Sequence, residues 1–135
     1  MTGSGGWLTV AVALVCFFSG PADAGSQKQF SGVAAFYDHD YSGQTACGER
    51  YDPKKFTAAH RTLPFGTRLR VTNTQTHRSV VVTINDRGPF TEGRVLDLSL
   101  AAAKSLHMID SGLVKVTATV QDSAAFTTAA KLQVR

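Results

Sequence analysis

Cysteine is scarce in this chain, and its two cysteines lie in segments of different character. Cys16 belongs to an apolar run near the N-terminus, whereas Cys47 is set between small residues in Thr45-Ala46-Cys47-Gly48-Glu49. If the N-terminal run is removed, one cysteine remains, so an internal disulfide is excluded. The setting of Cys47 favours a packed small side chain, and a reactive thiol is the alternative.

Clustered metal ligands and dense basic segments are also missing. The histidines show no close pairing with a second strong ligand, so we predict no metal site, and we predict no cofactor. The basic residues are dispersed and are not interleaved with aromatic residues, which argues against nucleic-acid binding. The four histidines are His39, His60, His77 and His107.

The longest apolar run is too short to cross a bilayer easily. It extends from Trp7 to Phe18 and is followed by Ala22-Asp23-Ala24, the small-x-small pattern of a signal-peptide cleavage site. We therefore predict a signal peptide over residues 1–24, cleaved near Ala24, and an exported protein of the periplasm or extracellular space without a transmembrane helix. Bulky residues flank Cys16, so a lipid anchor is not expected.

Length and charge indicate one basic domain. The 135 residues suffice for a single domain. Removing residues 1–24 takes away one acid, Asp23, and no base, which raises the formal net charge from +4 to +5. This charge suits a polyanionic partner such as cell-wall material or a membrane surface. We expect a monomer with a leader at 25–31, a barrel domain at 32–120 and a tail at 121–135.

Short segments with apolar residues at alternate positions predict about six strands. One helix is predicted at 100–108, where Ser99 is a good N-cap for an alanine-rich stretch. This pattern is typical of a small, mainly β domain that closes into a barrel. The predicted strands are 30–37, 56–60, 67–73, 78–85, 94–98 and 113–120.

A turn-forming segment, Asn85-Asp86-Arg87-Gly88-Pro89-Phe90, follows the apolar strand that begins near Ser79. Gly88 and Pro89 enforce a bend, which displays Asp86 and Arg87 at the strand end, where functional sites tend to be built. The alternative is structural, with Asp86 capping the turn and pairing with Arg87. Asp97 is interpreted as a helper in capping the helix rather than as a catalytic group.

Five segments in this order carry a resemblance to a known family. The chain resembles the rare lipoprotein A-like family of double-psi β-barrel cell-wall proteins from about Gly32 to Val120. The segments are Gly32-Val33-Ala34-Ala35-Phe36-Tyr37, Thr45-Ala46-Cys47-Gly48-Glu49, Thr57-Ala58-Ala59-His60 with Leu63-Pro64-Phe65-Gly66-Thr67, Asn85 to Phe90, and Arg94-Val95-Leu96-Asp97-Leu98-Ser99 with Ala102-Ala103.

The resemblance implies a mainly β fold, a six-stranded double-psi β-barrel with one short helix. It also implies an exported lytic transglycosylase, a lyase that cleaves the bond between N-acetylmuramic acid and N-acetylglucosamine in peptidoglycan glycan strands and leaves a 1,6-anhydromuramyl end. The family's catalytic positions fall on Glu49, His60 and Asp86.

Chemistry suggests a role for each of these groups. Asp86 is expected to be the general acid and base, because one carboxyl group can serve both steps when the muramyl 6-hydroxyl replaces water. Glu49 near Asp86 would raise the pKa of one of the two carboxyl groups by charge repulsion. His60 would orient an acid or contact the sugar.

Other residues are candidates for holding the substrate. Arg87 and Arg94 could attract substrate carboxylates, although Arg94 could instead clamp Asp97. Tyr37, Phe65 and Phe90 are candidates for stacking on sugar rings, with burial in the core as the alternative.

Two other functions remain open at this point. The first is a non-catalytic, expansin-like module that binds glycan or loosens the wall. The second is an inhibitor or secreted effector that uses the barrel as a protein-binding surface.

Overall fold

The computed structural model describes residues 27–122, together with residue 3, as six strands and one short helix. Within these residues, no helix has the length and apolar character needed to cross a membrane. The elements are β1 (Gln29–Phe36), β2 (Thr57–Ala59), β3 (Arg68–Asn73), β4 (Ser79–Asp86), β5 (Arg94–Leu98), α1 (Leu100–Ser105) and β6 (Val114–Asp122).

The six strands form one closed barrel in the order β1-β5-β2-β4-β3-β6. The pairs β1–β5 and β2–β4 are parallel, and the remaining pairs are antiparallel. The first and last strands close the barrel, with Gln29 opposite Thr119 and Ala34 opposite Val114. The prediction of a mainly β, closed barrel with six strands and one helix is therefore confirmed.

Alternate residues of the strands fill the interior. Leu69 and Val71 of β3 are fully buried and alternate with exposed or partly buried residues, as the period-two pattern predicts. The helix covers the core with Ala102 and Ala103. Its N-cap is Ser99, as predicted, because the Ser99 hydroxyl accepts a hydrogen bond from the Ala102 amide.

Most predicted boundaries differ from the structure by one residue, and the ends of β6 and α1 differ by more. β1 begins at Gln29 and β6 ends at Asp122, so parts of the predicted leader and tail form barrel wall. Helix α1 ends at Ser105 instead of residue 108, because His107 takes a left-handed backbone conformation with a φ of 53°. The signal peptide at 1–24 and the tail beyond residue 122 lie outside the described residues.

The short strand β2 lies between β4 and β5 and sets the position of two acids. Ala58 pairs with Ile84 of β4, but Ala59 pairs with Asp86, so a bulge skips Asn85. On its other side Ala59 pairs with Asp97 of β5. Bulges redirect side chains and are common beside active sites. Asp86 and Asp97 therefore flank Ala59, with their Cα atoms roughly 10 Å apart, two strand spacings.

Candidate active site

The Asp86 carboxylate accepts hydrogen bonds from three donors at the end of β4. Its Oδ2 atom accepts from the Tyr37 hydroxyl at 2.6 Å, and its Oδ1 atom accepts from the amides of Ala46 and Arg87, each at 2.8 Å. All three groups donate to the carboxylate oxygens and hold them in one orientation. The structural alternative, in which Asp86 caps the turn, therefore describes only part of its role. Asp86 binds the Arg87 amide at the turn, but it also binds Tyr37 and Ala46.

Tyr37 connects this carboxylate to a cluster of tyrosines. Its ring centroid lies 5.1 Å from that of Tyr41 and 4.7 Å from that of Tyr51. Burial raises the pKa of Tyr37 well above its usual range, and the hydrogen bond to Asp86 raises it further. The hydroxyl therefore keeps its proton and remains a donor. Tyr37, predicted to stack on sugar, packs its ring within the protein and points its hydroxyl at Asp86.

Asp97 is the second carboxyl group of the site. Burial raises the pKa of Asp97; the Arg94 guanidinium opposes this shift, and the charge of Asp86 adds to it. The Asp97 Oδ2 atom also lies close to Gly88, 3.9 Å from where a Cβ atom would stand. The prediction that Asp97 helps to cap α1 is wrong, because Ser99 makes the cap and Asp97 pairs with Arg94 at 3.1 Å. Sequence reasoning missed this residue as a site group.

Glu49 lies in a loop that contacts Asp86 through its backbone. The Ala46 amide binds the Asp86 carboxylate, and the Cys47 amide donates to the carbonyl of Asn85 at 3.2 Å. The Glu49 carbonyl accepts from the Thr45 amide at 2.7 Å, while its side chain is exposed. Among residues 27–122, no hydrogen bond or ion pair to the Glu49 carboxylate is found. The charge of Asp86 contributes to the raised pKa of Asp97.

His60 follows β2, and its ring binds a neighbouring loop. The His60 amide donates to the Asp86 carbonyl at 3.2 Å. The ring accepts at Nδ1 from the amides of Thr62 and Leu63, at 3.1 and 3.0 Å, and packs against Phe30 with centroids 5.1 Å apart. With Nδ1 used as an acceptor, the neutral ring carries its proton on Nε2. The backbone of His60 thus adjoins Asp86, whereas its ring organises residues 61–63.

This arrangement makes the stability of the loop sensitive to acid. Burial lowers the pKa of His60, and the positive charges of Lys28, Arg87 and Arg61 lower it further. Between that lowered value and about 6.5, the unfolded chain binds more protons than the folded one. The free energy of unfolding should therefore rise with pH through this window, and the contribution is lost as the pH falls below about 6.5.

The substitution His60→Asn should flatten this pH dependence, because the Asn Oδ1 atom can accept from the same two amides without titrating. His60→Ala should lower the free energy of unfolding by about 1–3 kcal/mol at pH 7, since both amides lose their acceptor, and by less at pH 5, where the unmodified protein loses the same contribution. Urea unfolding at pH 5 and pH 7 measures both effects, with His39→Asn as a control at an exposed histidine. An unchanged pH slope in His60→Asn would contradict this interpretation.

The two arginines predicted to bind substrate make contacts within the protein. Arg87 donates from Nη1 to the carbonyls of His60 and Leu63, at 3.2 and 2.8 Å, and its guanidinium carbon lies 4.0 Å from the Phe65 ring centroid. Arg94 pairs with Asp97, as in the clamp that the sequence left open. Both guanidinium groups therefore bind protein groups and hold residues of the candidate site in position.

An exposed aromatic side chain adjoins the two acids. Phe90 is 82% exposed and lies beside Gly88, whose added Cβ atom would be 3.6 Å from the Phe90 ring. Phe65, by contrast, packs partly buried against the core. Phe90 is consequently available to stack on a sugar ring, whereas Phe65 packs against the core. Over residues 27–122, no three His, Cys, Asp or Glu side chains are grouped to hold a metal ion.

Comparisons with known proteins identify related sequences. The sequence model of the lytic transglycolase family matches residues 29–118. The chain is 61% identical over 90 residues to the "Probable endolytic peptidoglycan transglycosylase RlpA" of Nostoc sp., covering 64% of this chain and 24% of the relative. It is 48% identical over 83 residues to the "Endolytic peptidoglycan transglycosylase RlpA" of Pasteurella multocida, covering 61% of this chain and 28% of the relative. The chain thus spans about a quarter of the length of these relatives.

Solved structures share the barrel. An expansin of Clavibacter michiganensis superposes with a TM-score of 0.55 at 25% identity, over 72% of this chain and 52% of the expansin. The Streptomyces papain inhibitor superposes with a TM-score of 0.57 at 24% identity, over 69% of this chain and 94% of the inhibitor. These neighbours are double-psi β-barrels, which confirms the fold that the resemblance implied.

Proposed function

Because the chain belongs to the lytic transglycolase family of double-psi β-barrel domains, we propose that it cleaves peptidoglycan glycan strands. The bond broken joins N-acetylmuramic acid to N-acetylglucosamine, and the product ends in a 1,6-anhydromuramyl residue. The observation that supports this proposal is the placement of Asp86 and Asp97 on either side of Ala59. One barrel supplies both groups, so we propose a monomer acting in the cell envelope, as the predicted signal peptide suggests.

The proposed reaction moves two protons. Asp97 donates a proton to the glycosidic oxygen, which leaves as the 4-hydroxyl of N-acetylglucosamine. The muramyl 6-hydroxyl attacks C1 and forms the new C1–O6 bond, and its proton passes to the Asp86 carboxylate. No water is consumed, and solvent exchange restores both acids to their starting states. The two carboxyl groups thus perform general acid and general base catalysis.

The division of roles follows from the two environments. Asp86 accepts from three donors, which orient its carboxylate and suit a base. Asp97 is the group whose pKa is raised by burial, which favours the protonated form and suits an acid. Environments that differ in this way are a recurring means of assigning acid and base. In the simpler alternative, which the sequence suggested, Asp86 performs both steps alone.

Three further residues support this site without entering the reaction. Tyr37 orients Asp86 through its hydroxyl. His60 holds the loop at 61–63, and Arg87 binds that loop through the carbonyls of His60 and Leu63.

The side chain of Glu49 is exposed on the loop that contacts Asp86. We propose that Glu49 contacts bound glycan from that loop.

A non-catalytic glycan-binding or wall-loosening module is the second candidate. The shared barrel of the expansin and the exposed Phe90 ring favour it. Such a module would use the same surface to hold a glycan without breaking it.

Mass spectrometry of the products separates these functions. The protein is incubated with intact peptidoglycan and with glycan stripped of its peptides by an amidase. We expect 1,6-anhydromuramyl ends in at least one of the two. Reducing ends formed by water would indicate a hydrolase instead, and binding to the wall without any new ends would favour the module.

A further inference from the structure

A positively charged pocket lies beside His60 and Arg61, the two residues that follow β2. Its volume is about 380 Å³. It is lined by residues that combine cationic and apolar side chains, and we refer to it as the cationic pocket: Lys28, Phe30, His60, Arg61, Thr62 and Val95.

The charges in the cationic pocket are not neutralised by acids. Among the described residues that line it none is acidic, and within residues 27–122 no carboxylate pairs with Lys28 or Arg61. The His60 ring adds a donor at Nε2, because Nδ1 is already bound to two amides. Phe30 and Val95 supply an apolar wall. The pocket therefore suits an anionic group carried on a small apolar arm.

Hydrogen bonds connect the cationic pocket to the strand ends that carry the acids. Arg61 donates from Nε to the Pro89 carbonyl and from Nη2 to the Arg94 carbonyl, each at 2.7 Å. The His60 amide binds the Asp86 carbonyl. The pocket residues Arg61 and His60 are therefore bonded to the backbone of the segments that carry the two acids.

We propose that the cationic pocket binds a carboxylate of the muramyl unit and so selects muramyl glycans over neutral ones. The inference rests on the proposed function for its substrate class. Arg87 and Arg94, which the sequence suggested for this task, are bound to protein groups, whereas Lys28 and His60 line the pocket. The carboxylate belongs either to the lactyl ether of N-acetylmuramic acid or to an attached peptide.

Nuclear magnetic resonance titrations with two monosaccharides test the proposal. N-acetylmuramic acid and N-acetylglucosamine differ only in the lactyl ether, and neither contains a bond to be cleaved. We expect N-acetylmuramic acid to shift the His60 ring signals and the amides of Thr62 and Leu63, and N-acetylglucosamine to leave them in place. A third ligand, N-acetylmuramyl-L-alanine, carries its carboxylate one residue further out. Tighter binding of N-acetylmuramic acid identifies the lactyl carboxylate as the bound group. Tighter binding of N-acetylmuramyl-L-alanine identifies the peptide carboxylate.

The matched variants are Lys28→Gln in the pocket and Lys54→Gln in an exposed turn, which change the net charge equally. Lys28→Gln should weaken binding of the preferred acid about 2- to 5-fold, the scale of one exposed charge, and Lys54→Gln should not. Equal effects of the two variants, equal shifts by both monosaccharides, or no shift by either acid would overturn the proposal. Because binding is read without cleavage, a protein that binds the acid but releases no products would contradict only the proposed function.

Discussion

Replacing Asp86 with Asn is expected to lower the release of anhydromuramyl ends about 100- to 10,000-fold, the usual contribution of a general acid or base. The amide cannot take up the proton of the muramyl 6-hydroxyl. The fold should persist, because the Asn Oδ1 atom can still accept from the amides of Ala46 and Arg87. Initial rates measured by mass spectrometry of the products give the size of the effect.

The matched control for this variant is Asp38→Asn, which removes the same charge from an exposed loop. It should retain the rate of the unmodified protein. Both variants should unfold at similar urea concentrations. Full product formation by Asp86→Asn would reject the role of Asp86 in the reaction under either scheme.

Replacing Asp97 with Asn tests whether the site uses two carboxyl groups. If Asp97 donates the proton, the variant should lose about 100- to 10,000-fold in rate while binding glycan as well as before. The contact with Arg94 can be kept through the Asn Oδ1 atom. The unmodified protein should lose activity as the pH rises through the raised pKa of Asp97, because the acid must be protonated. The variant's residual activity should lack this decline.

Asp110→Asn, at an exposed acid after α1, provides the matched control. A rate preserved in Asp97→Asn but lost in Asp86→Asn would show that Asp86 serves as acid and base by itself. Loss of glycan binding in Asp97→Asn would instead mark Asp97 as a binding group. The pair of variants therefore decides between the two schemes of catalysis.

Much of the fold could be predicted because the local signals agree with the final structure. Leu69 and Val71 alternate with exposed residues, and Ser99 is followed by an alanine-rich segment, so a strand and a helix start are evident. The order of the strands in the barrel, by contrast, could not be predicted from local sequence patterns. β1 pairs with β5 and β3 pairs with β6, and no local pattern specifies such distant partners. The family resemblance implied the type of barrel and not these pairs of strands.

The sequence predicts the parts of the candidate site whose position follows from the neighbouring residues in the chain. Asp86 stands directly after an apolar strand, and its place at the barrel end was foreseen. Asp97 was not, because its position beside Ala59 depends on two strand pairings and on the bulge at Asn85. The direction of the His60 ring depends on the amides of Thr62 and Leu63, which only the folded loop presents.

The closure of the barrel by its first and last strands also determines how the domain responds to mechanical force. Gln29 lies opposite Thr119, and the Val120 amide donates to the Lys28 carbonyl at 2.9 Å, so the chain enters and leaves the barrel at one point. A pull on both ends loads the hydrogen bonds between β1 and β6 one after another, in an unzipping geometry, instead of shearing them together. Tension applied between residues 29 and 122 would therefore open this seam first.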